Sequence, residues 1–409
     1  MKKLVIFFLI LCIIAGFNIG EIKAQAEIEQ LMNLYKQAEI INVENSDFYT
    51  DFEYKAKVVL INVEINNKEK LKFILDTGSP TVIDKNIAQQ LELKEEMDIS
   101  VGDSSGEIRK NSITILDNLE IGSMKIKDTP VLISDLSMIQ AIGYDINGIL
   151  GSDILRFFKL IINYKEENIV FSTDKKFETK EETYNIKFDM DQMFIPNINF
   201  DFKGNKLPGL IDTAYNGYIA IPSALVIQNK EYFAERRMIE SSGNMSKGAF
   251  DEYQENCYQL ELYDFAIGDI EFDKIPIITS EYGLVGNEFL EKFTVVINYL
   301  SEELILIKNS KDFKRNIYDT GLSLSRNDVD EIIVSGLWED SSAERAGILI
   351  GDKILEINDK KIEDYSLIEI WEILKDPLIE NFNFLIIRDN KELTITIKKE
   401  HLLYPESDV

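Results

Sequence analysis

Two stretches of the chain alternate apolar and polar residues with a period of two. Residues 113–134 read ITILDNLEIGSMKIKDTPVLIS, and residues 258–279 read YQLELYDFAIGDIEFDKIPIIT. This is the period of a half-buried β-strand, and the Gly and Asp residues that interrupt it are typical of hairpin turns. Residues 27–41 show a moderate helical pattern instead. The alternation therefore predicts a mainly β protein.

The N-terminus follows a different pattern. Two lysines precede an apolar run over residues 4–17, and residues 24–26 read AQA, which suits a cleavage site. The run is shorter than the roughly 20 residues that a membrane-spanning helix needs. The layout predicts a cleaved secretory signal over residues 1–26 rather than an anchor. We expect an exported chain, whether periplasmic, secreted or associated with the envelope, without a membrane span after cleavage.

A long internal repeat divides the middle of the chain. Residues 148–171 read GILGSDILRFFKLIINYKEENIVF and align without a gap with residues 283–306, GLVGNEFLEKFTVVINYLSEELIL. Upstream, ILDT at 74–77 recurs as LIDT at 210–213, so the two landmarks recur at spacings of 135 and 136 residues. A period this long indicates a duplicated lobe rather than a solenoid. The predicted segments are an N-terminal helical or linker segment (27–54), lobe one (55–185) and lobe two (186–309).

Composition narrows the chemistry that is available. His401 is the only histidine in the chain, so a Ser-His-Asp or Cys-His mechanism and a zinc motif with two histidines are excluded. Any hydrolytic chemistry must therefore use carboxylates. Cys257 would be the only cysteine left after signal removal, and we expect it to be a small buried apolar residue. The net charge of −28 disfavours nucleic acid as a partner.

The duplicated turn resembles the active-site turn of aspartic proteases. Residues 76–79 read DTGS after an apolar strand, and two apolar residues followed by Gly come later in each lobe, at 149–151 and 284–286. Turn and partner motif thus appear in order, twice. The resemblance covers about residues 55–310. It implies a bilobal aspartic-protease β-barrel fold from a duplicated lobe, in which each lobe gives one carboxylate and no metal or cofactor is used.

By this resemblance, Asp76 and Asp212 form the catalytic pair. Two close carboxylates share one proton, so that one activates water as a base and the other acts as an acid. Ser79 can donate a hydrogen bond to Asp76, whereas Asp212 has no equivalent donor at Tyr215. We therefore expect Asp76 to be the base. By the same resemblance, a second group of residues supports the two turns, and its threonines bond across the two-fold axis: Thr77, Gly78, Ser79, Thr213 and Ala214. A third group is expected to form flaps over the substrate: Ser105, Gly106, Ser242 and Gly243.

Lobe two departs from the family pattern at two positions. Ala214 stands where the family has Gly, and Tyr215 stands where it has a short hydroxyl side chain. Ala keeps the backbone N–H, but its methyl group would crowd the turn and would be strained at positive φ. Two alternatives to an active endopeptidase follow from this. One is a catalytically degenerate peptide-binding protein, and the other is an envelope scaffold.

Residues 318–400 resemble a PDZ domain of the kind attached to bacterial proteases, an α/β domain. The resemblance is carried by residues 342–348 (SAERAGI) and 351–355 (GDKIL), by a capped helix over about residues 366–375, and by a final hairpin turning at residues 389–390. A linker near 309–318 precedes the domain. A polar tail over 401–409 follows it.

The PDZ resemblance implies a second site for peptides. Such domains add an extended peptide as a strand and hold a C-terminal carboxylate in a backbone nest. The expected partners are therefore polypeptide substrates and, at this domain, a C-terminal or extended peptide. The alternative is a module that only braces the lobes. The residues expected to form the peptide-binding loop are Gly321, Leu322, Ser323 and Leu324, with Ser323 where Gly is common in the family.

Overall fold

The computed structural model describes most of the chain after the predicted signal. The residues described are 30–41, 46–66, 70–102, 108–233, 237–247, 252–253, 257–309 and 317–403. The predicted signal over residues 1–26 lies outside them, as do Ser105 and Gly106. Among these described residues no helix has the length and apolar character needed to cross a bilayer. Strands dominate, which confirms the mainly β prediction.

Lobe one is built on a mixed sheet that carries the Asp76 turn. The strands up to residue 190 are β1 Glu39–Ile41, β2 Asp47–Asp51, β3 Glu53–Lys55, β4 Val58–Ile65, β5 Lys70–Leu75, β6 Val82–Asp84, β7 Met97–Gly102, β8 Ile108–Ile121, β9 Met124–Ser134, β10 Gly148–Leu150, β11 Lys159–Asn163, β12 Asn168–Ser172, β13 Thr183–Lys187 and β14 Asp189–Met190. Within the lobe-one sheet the strand order is β1-β9-β6-β10-β5-β4-β8-β7, with β3 beside β4. The helices are α1 (30–35), α2 (Lys85–Gln90), α3 (Ser137–Ala141) and α4 (Ser152–Leu155). Strand β10 pairs in parallel with β5 and antiparallel with β6, which brings the partner motif beside the turn after β5.

Lobe two repeats this arrangement. Strand β25 pairs in parallel with β16 and antiparallel with β17, so the repeat seen in the sequence is also a repeat of structure. The elements are β15 Pro196–Phe202, β16 Asn205–Ile211, β17 Ile219–Pro222, α5 Ser223–Gln228, α6 Lys230–Phe233, β18 Met238–Gly243, β19 Ser246–Lys247, β20 Glu252–Tyr253, β21 Tyr258–Leu262, β22 Phe265–Ile267, β23 Ile270–Phe272, β24 Ile275–Ser280, β25 Leu284–Val285, α7 Asn287–Leu290, β26 Phe293–Asn298 and β27 Glu303–Lys308.

A further sheet joins the two lobes. Its order is β13-β27-β26-β11-β12-β2, and its centre is the antiparallel pair of β11 from lobe one and β26 from lobe two. One continuous apolar core extends from lobe one through this sheet into lobe two, with Phe73 and Leu75 on one side and Phe200 and Ile211 on the other. The lobes are therefore a single packed unit below the Asp76 and Asp212 turns.

The segment before lobe one is not a linker, which corrects the expectation for residues 27–54. A helix is present over 30–35, but β1 then joins the lobe-one sheet, β2 joins the interlobe sheet and β3 pairs with β4. These short strands gave no clear alternation in the sequence because each is only three to five residues long. Their structure depends on pairing with strands far along the chain.

The C-terminal domain has its own apolar core and the predicted local features. Its elements are β28 Tyr318–Asp319, β29 Leu322–Arg326, β30 Ile332–Trp338, α8 Ser342–Arg345, β31 Lys353–Ile357, β32 Lys360–Lys361, α9 Leu367–Lys375, β33 Asn381–Arg388, β34 Lys391–Lys398 and β35 Glu400–His401. Ser366 and Glu369 form the predicted capping box of α9. Asp389 and Asn390 have φ of 52° and 59°, as a two-residue hairpin turn with both central residues at positive φ requires.

This domain contacts both lobes. Strand β18 of lobe two pairs with β30, with Ser241 opposite Trp338. Cys257 is 1% exposed in the apolar cluster around Trp338, which confirms the prediction of a buried cysteine. On lobe one, Ile142 O accepts a hydrogen bond of 3.0 Å from Ile368 N at the start of α9. The domain therefore bridges the lobes.

Candidate active site

Asp76 and Asp212 lie directly after β5 and β16, at equivalent places in the two lobes. Asp76 N donates to Leu150 O and Asp212 N donates to Val285 O, each at 3.0 Å, so each partner motif fixes the backbone of its own Asp. A methyl group on Gly78 would stand 3.2 Å from Asp212 Oδ2 and 3.3 Å from Asp76 Oδ1. The two carboxylates therefore flank the same glycine from opposite lobes.

Thr77 and Thr213 join the two turns. The backbone N–H of each donates to the hydroxyl oxygen of the other, both at 3.1 Å. Thr77 Oγ1 in turn donates to Ile211 O at 2.6 Å, and Thr213 Oγ1 donates to Leu75 O at 2.8 Å. Both threonines are fully buried. These reciprocal bonds across the two-fold axis fix the separation of the carboxylates.

The departure at position 214 does not strain the turn. Gly78 and Ala214 both keep an ordinary negative φ, so the Ala needs no left-handed backbone. Ala214 N donates to Asp212 Oδ1 at 2.9 Å, in the same way that Gly78 N donates to Asp76 Oδ1 at 2.7 Å. Glycine at position 78 is explained by the space that Asp212 takes, and not by backbone conformation.

The two carboxyl groups differ in burial and in their hydrogen bonds. Asp76 is buried and Asp212 is partly buried. Burial raises the pKa of both groups, and the adjacent Asp212 charge raises the pKa of Asp76 further, against the opposing hydrogen bond from Gly78. The Ser79 hydroxyl, which was expected to donate to Asp76, donates to Pro80 O at 3.1 Å. Asp212 Oδ1 also accepts the backbone N–H of Tyr215 at 2.9 Å. The Tyr215 backbone thus gives Asp212 a second donor that the side-chain comparison left out. Which member of the pair is the base stays a prediction.

Each lobe has a second apolar cluster on the face of its sheet that carries the carboxylate. Ile74 lies two residues before Asp76 and Leu210 two before Asp212, so each pair shares a strand face. Met193 packs against both clusters. The cluster members in the strands nearest the turns are Ile74, Val82 and Ile149 in lobe one, and Leu210, Ala220 and Leu284 in lobe two.

Comparison with protein families agrees with both parts of this architecture. Residues 61–154 match the family model described as aspartyl protease, and residues 310–378 match that of the PDZ domain. The chain carries an aspartyl protease domain followed by a PDZ domain. The first match contains the Asp76 turn and its partner motif, and the second contains β29 and α9. No curated protein matched the chain.

Helix α1 covers the lobe-one cluster of the protease domain. Leu31 and Tyr35 are 1% and 2% exposed and belong to this cluster. Arg156 of lobe one donates to Tyr35 O at 2.6 Å, and its guanidinium lies 3.9 Å from the ring centroid of Phe194 from lobe two. The rings of Tyr35 and Phe194 meet edge to face at 6.2 Å. Tyr35 thus occupies the junction of the two lobes. Only a helical pattern was visible in the sequence at this segment.

The expected flap at Ser242 and Gly243 is not a turn, which corrects that expectation. Both residues lie in β18 and pair with Leu337 and Gly336 of the PDZ domain. Their composition is typical of a turn. Here strand β30 of the PDZ domain pairs with them, so they form part of a strand instead. The other expected flap residues, Ser105 and Gly106, lie outside the described residues. The flanking strands β7 and β8 pair in register.

The expected peptide-binding loop of the PDZ domain leads into β29. Among the described strands β29 pairs with β30 alone, and α9 packs along its other side. Gly321 has φ of 89°, and the register shifts between Ser323 and Leu324. Leu322 and Leu324 pack partly into the domain core rather than lying free on the surface.

An internal carboxylate occupies the start of this loop. Asp319 Oδ1 accepts the backbone N–H groups of Thr320 and Gly321 at 2.6 and 3.2 Å, and Asp319 Oδ2 forms an ion pair with Lys375 at the end of α9. A ligand carboxylate arriving at this loop would compete with Asp319 for these donors. Sequence reasoning missed both Asp319 and Lys375, since no motif marks their pairing.

Proposed function

We propose that this chain is an exported aspartic endopeptidase that uses Asp76 and Asp212 and binds peptides at its PDZ domain. One observation carries the catalytic part. Two desolvated carboxylates from duplicated turns flank Gly78, and reciprocal threonine hydrogen bonds hold them there. Close carboxylates that cannot both ionise supply an acid and a base at one pH.

The hydrogen bonds at the site support one assignment of roles. Asp212, the more exposed carboxylate with two backbone donors, takes a proton from a water molecule placed between the pair. Asp76 gives its proton to the carbonyl oxygen as the water oxygen bonds to the carbonyl carbon. As the C–N bond breaks, the amine nitrogen takes up the proton now on Asp212, and one hydroxyl group of the tetrahedral intermediate returns its proton to Asp76. The carboxylic acid product forms, and the pair again holds one shared proton.

The apolar clusters beside the carboxylates support a preference for apolar and aromatic substrate side chains. Leu31 and Tyr35 occupy part of the lobe-one cluster, so they report the kind of side chain that this surface accepts. A substrate that uses the same surface has to displace α1. Long unfolded polypeptides fit this requirement better than folded proteins, because they can extend across both clusters.

Export is proposed from the predicted signal over residues 1–26. The mature chain would begin near residue 27 and act outside the cytoplasm. N-terminal sequencing of material recovered from outside the cytoplasm tests this directly. An intact Met1, with the protein in the membrane fraction, would mean that the first segment is an anchor.

The catalytic proposal is tested with an unfolded substrate protein and a peptide analogue of the tetrahedral intermediate. The purified mature chain should cleave the substrate, and the analogue should block cleavage. Binding of peptides without cleavage would favour the degenerate peptide-binding protein. If a short peptide that binds only at the PDZ domain competes this binding away, again without cleavage, the envelope scaffold would be favoured.

A further inference from the structure

Ser152 and Asn287 occupy equivalent places in the two lobes, directly after the glycine that ends each partner motif. Ser152 Oγ donates to Thr77 O at 2.6 Å, and Asn287 Nδ2 donates to Thr213 O at 2.6 Å. Both side chains are fully buried. Each lobe therefore has one polar side chain that holds the carbonyl group directly after its catalytic carboxylate.

The next contact in each lobe comes from a tyrosine of the other lobe. Tyr299 OH lies 2.9 Å from Ser152 Oγ, and Tyr164 OH donates to Asn287 Oδ1 at 2.7 Å. A serine hydroxyl has one proton. Since Ser152 gives that proton to Thr77 O, Tyr299 must be the donor to Ser152. The two tyrosines are only 2% and 6% exposed.

The strand pairing of the interlobe sheet explains why each tyrosine contacts the opposite lobe. Tyr164 and Tyr299 are identical positions of the internal repeat and follow directly after β11 and β26. These strands pair antiparallel, with Lys159 opposite Asn298 and Asn163 opposite Thr294. Each strand therefore ends beside the opposite lobe, and its tyrosine reaches the partner motif of that lobe.

We propose that Tyr164 and Tyr299 are positioning residues of the catalytic pair, each acting on the turn of the opposite lobe through Asn287 or Ser152. The inference rests on the proposed function. The amide, hydroxyl and carbonyl groups of Thr77 are all engaged: by Thr213, Ile211 and Ser152. The Tyr299 hydroxyl holds the Ser152 side chain in place. A turn that is fixed at all three groups keeps the carboxylate in productive geometry, and small misplacements of such groups are costly in rate.

The two networks differ in strength. Asn287 Nδ2 also donates to Lys57 O at 2.7 Å, and the Lys57 side chain pairs with Glu291 at 2.6 Å. The lobe-two turn is therefore tied to lobe one by this second bond as well as by Tyr164. Ser152 has no second proton to give, so it depends on Tyr299. Loss of the Tyr299 hydroxyl should therefore cost more activity than loss of the Tyr164 hydroxyl.

The test uses variants that remove only a hydroxyl group. Tyr299→Phe should lower kcat about ten-fold while KM stays within about two-fold, and Tyr164→Phe should lower kcat by less. Tyr258→Phe is the control, because Tyr258 OH bonds to Glu240 at 3.3 Å within lobe two, outside both tyrosine networks. Its kcat should be unchanged. In a Ser152→Ala background, Tyr299→Phe should cause no further loss, since both act through one chain of bonds.

A titration of the carboxylates separates this inference from the proposed function. Aspartate carboxyl groups labelled with ¹³C report the titration of the pair without turnover, so the measurement holds even if the chain cleaves nothing. Tyr299→Phe should shift the titration midpoints of the pair, and Tyr258→Phe should not. If Tyr299→Phe matched Tyr258→Phe in both titration and kcat, the tyrosines would be purely structural and the inference would be overturned.

Discussion

Gly78 stands against the carboxylate of Asp212, and a methyl group at this position would lie 3.1 Å from Asp212 Cγ. Ala occupies the equivalent position 214 in lobe two without backbone strain. The two positions are therefore not interchangeable, although the family pattern has Gly at both.

Gly78→Ala should lower kcat by at least roughly ten-fold, because the added methyl group pushes the Asp212 carboxylate away from Asp76. Ala214→Gly is the matched control and should leave kcat unchanged or raise it. Steady-state kinetics on one unfolded substrate compares the two. Equal losses in both variants would show that the space beside Asp212 does not matter.

The raised pKa values of the carboxylate pair predict a pH-dependent stability. A carboxyl group whose pKa is higher in the folded than in the unfolded state contributes stability below about pH 4, and this contribution is lost as pH rises through the folded pKa. Asp76→Asn removes the ionisable group, and with it this loss of stability at higher pH. Its Tm should therefore exceed that of the natural chain increasingly between about pH 4 and pH 7.

Thermal unfolding followed across this pH range checks the prediction. Asp98→Asn, at an exposed strand position, is the control, and its Tm difference should stay constant. A constant difference for Asp76→Asn as well would mean that the pair carries no unfavourable charge in the folded state.

Helix α1 should limit access to the lobe-one cluster. Tyr35→Ala removes the ring that packs edge to face on Phe194, so kcat/KM for an unfolded substrate should rise several-fold if substrate displaces α1. Asn33→Ala, on the exposed side of the same helix, should have no effect. A fall in kcat/KM together with Tm would instead make α1 a fixed part of the lobe.

Asp319 should weaken the binding of peptides with a free C-terminus. Asp319→Ala frees the Thr320 and Gly321 N–H groups and Lys375, so peptides with a free carboxylate should bind several-fold more tightly, while amidated peptides should not. Lys375→Ala should reduce the preference for the free carboxylate. Fluorescence anisotropy with both peptide forms measures this, and equal effects on the two forms would place the ligand carboxylate elsewhere.

The sequence was informative wherever the signal was local or duplicated. Asp76 and Asp212 were found because each follows an apolar strand and recurs with its partner motif at one spacing. The capping box of Ser366 and Glu369 and the turn at Asp389 depend on neighbours in the chain, so they too were predicted. Tyr164 and Tyr299 were visible as identical positions, but their crossing depends on which strands pair.

The features that were missed depend on tertiary contacts. The backbone N–H of Tyr215 donates to Asp212, and no side-chain comparison could show it. Ser242 reads as a turn residue, yet the edge of β30 makes it part of a strand. The segment over 27–54, expected to be helical or a linker, also contributes short strands, because partners far along the chain stabilise them.

The central claim is that one carboxylate from each lobe forms a single catalytic pair. The most direct measurement is cleavage of an unfolded protein by Asp76→Asn and Asp212→Asn beside the natural chain, with circular dichroism to verify the fold of each. Both variants should lose activity by a factor on the order of 1,000 or more, since both groups act in one step. Retention of most of the activity by Asp212→Asn would contradict the two-lobe pair and would favour pairing of Asp76 with a second copy of lobe one.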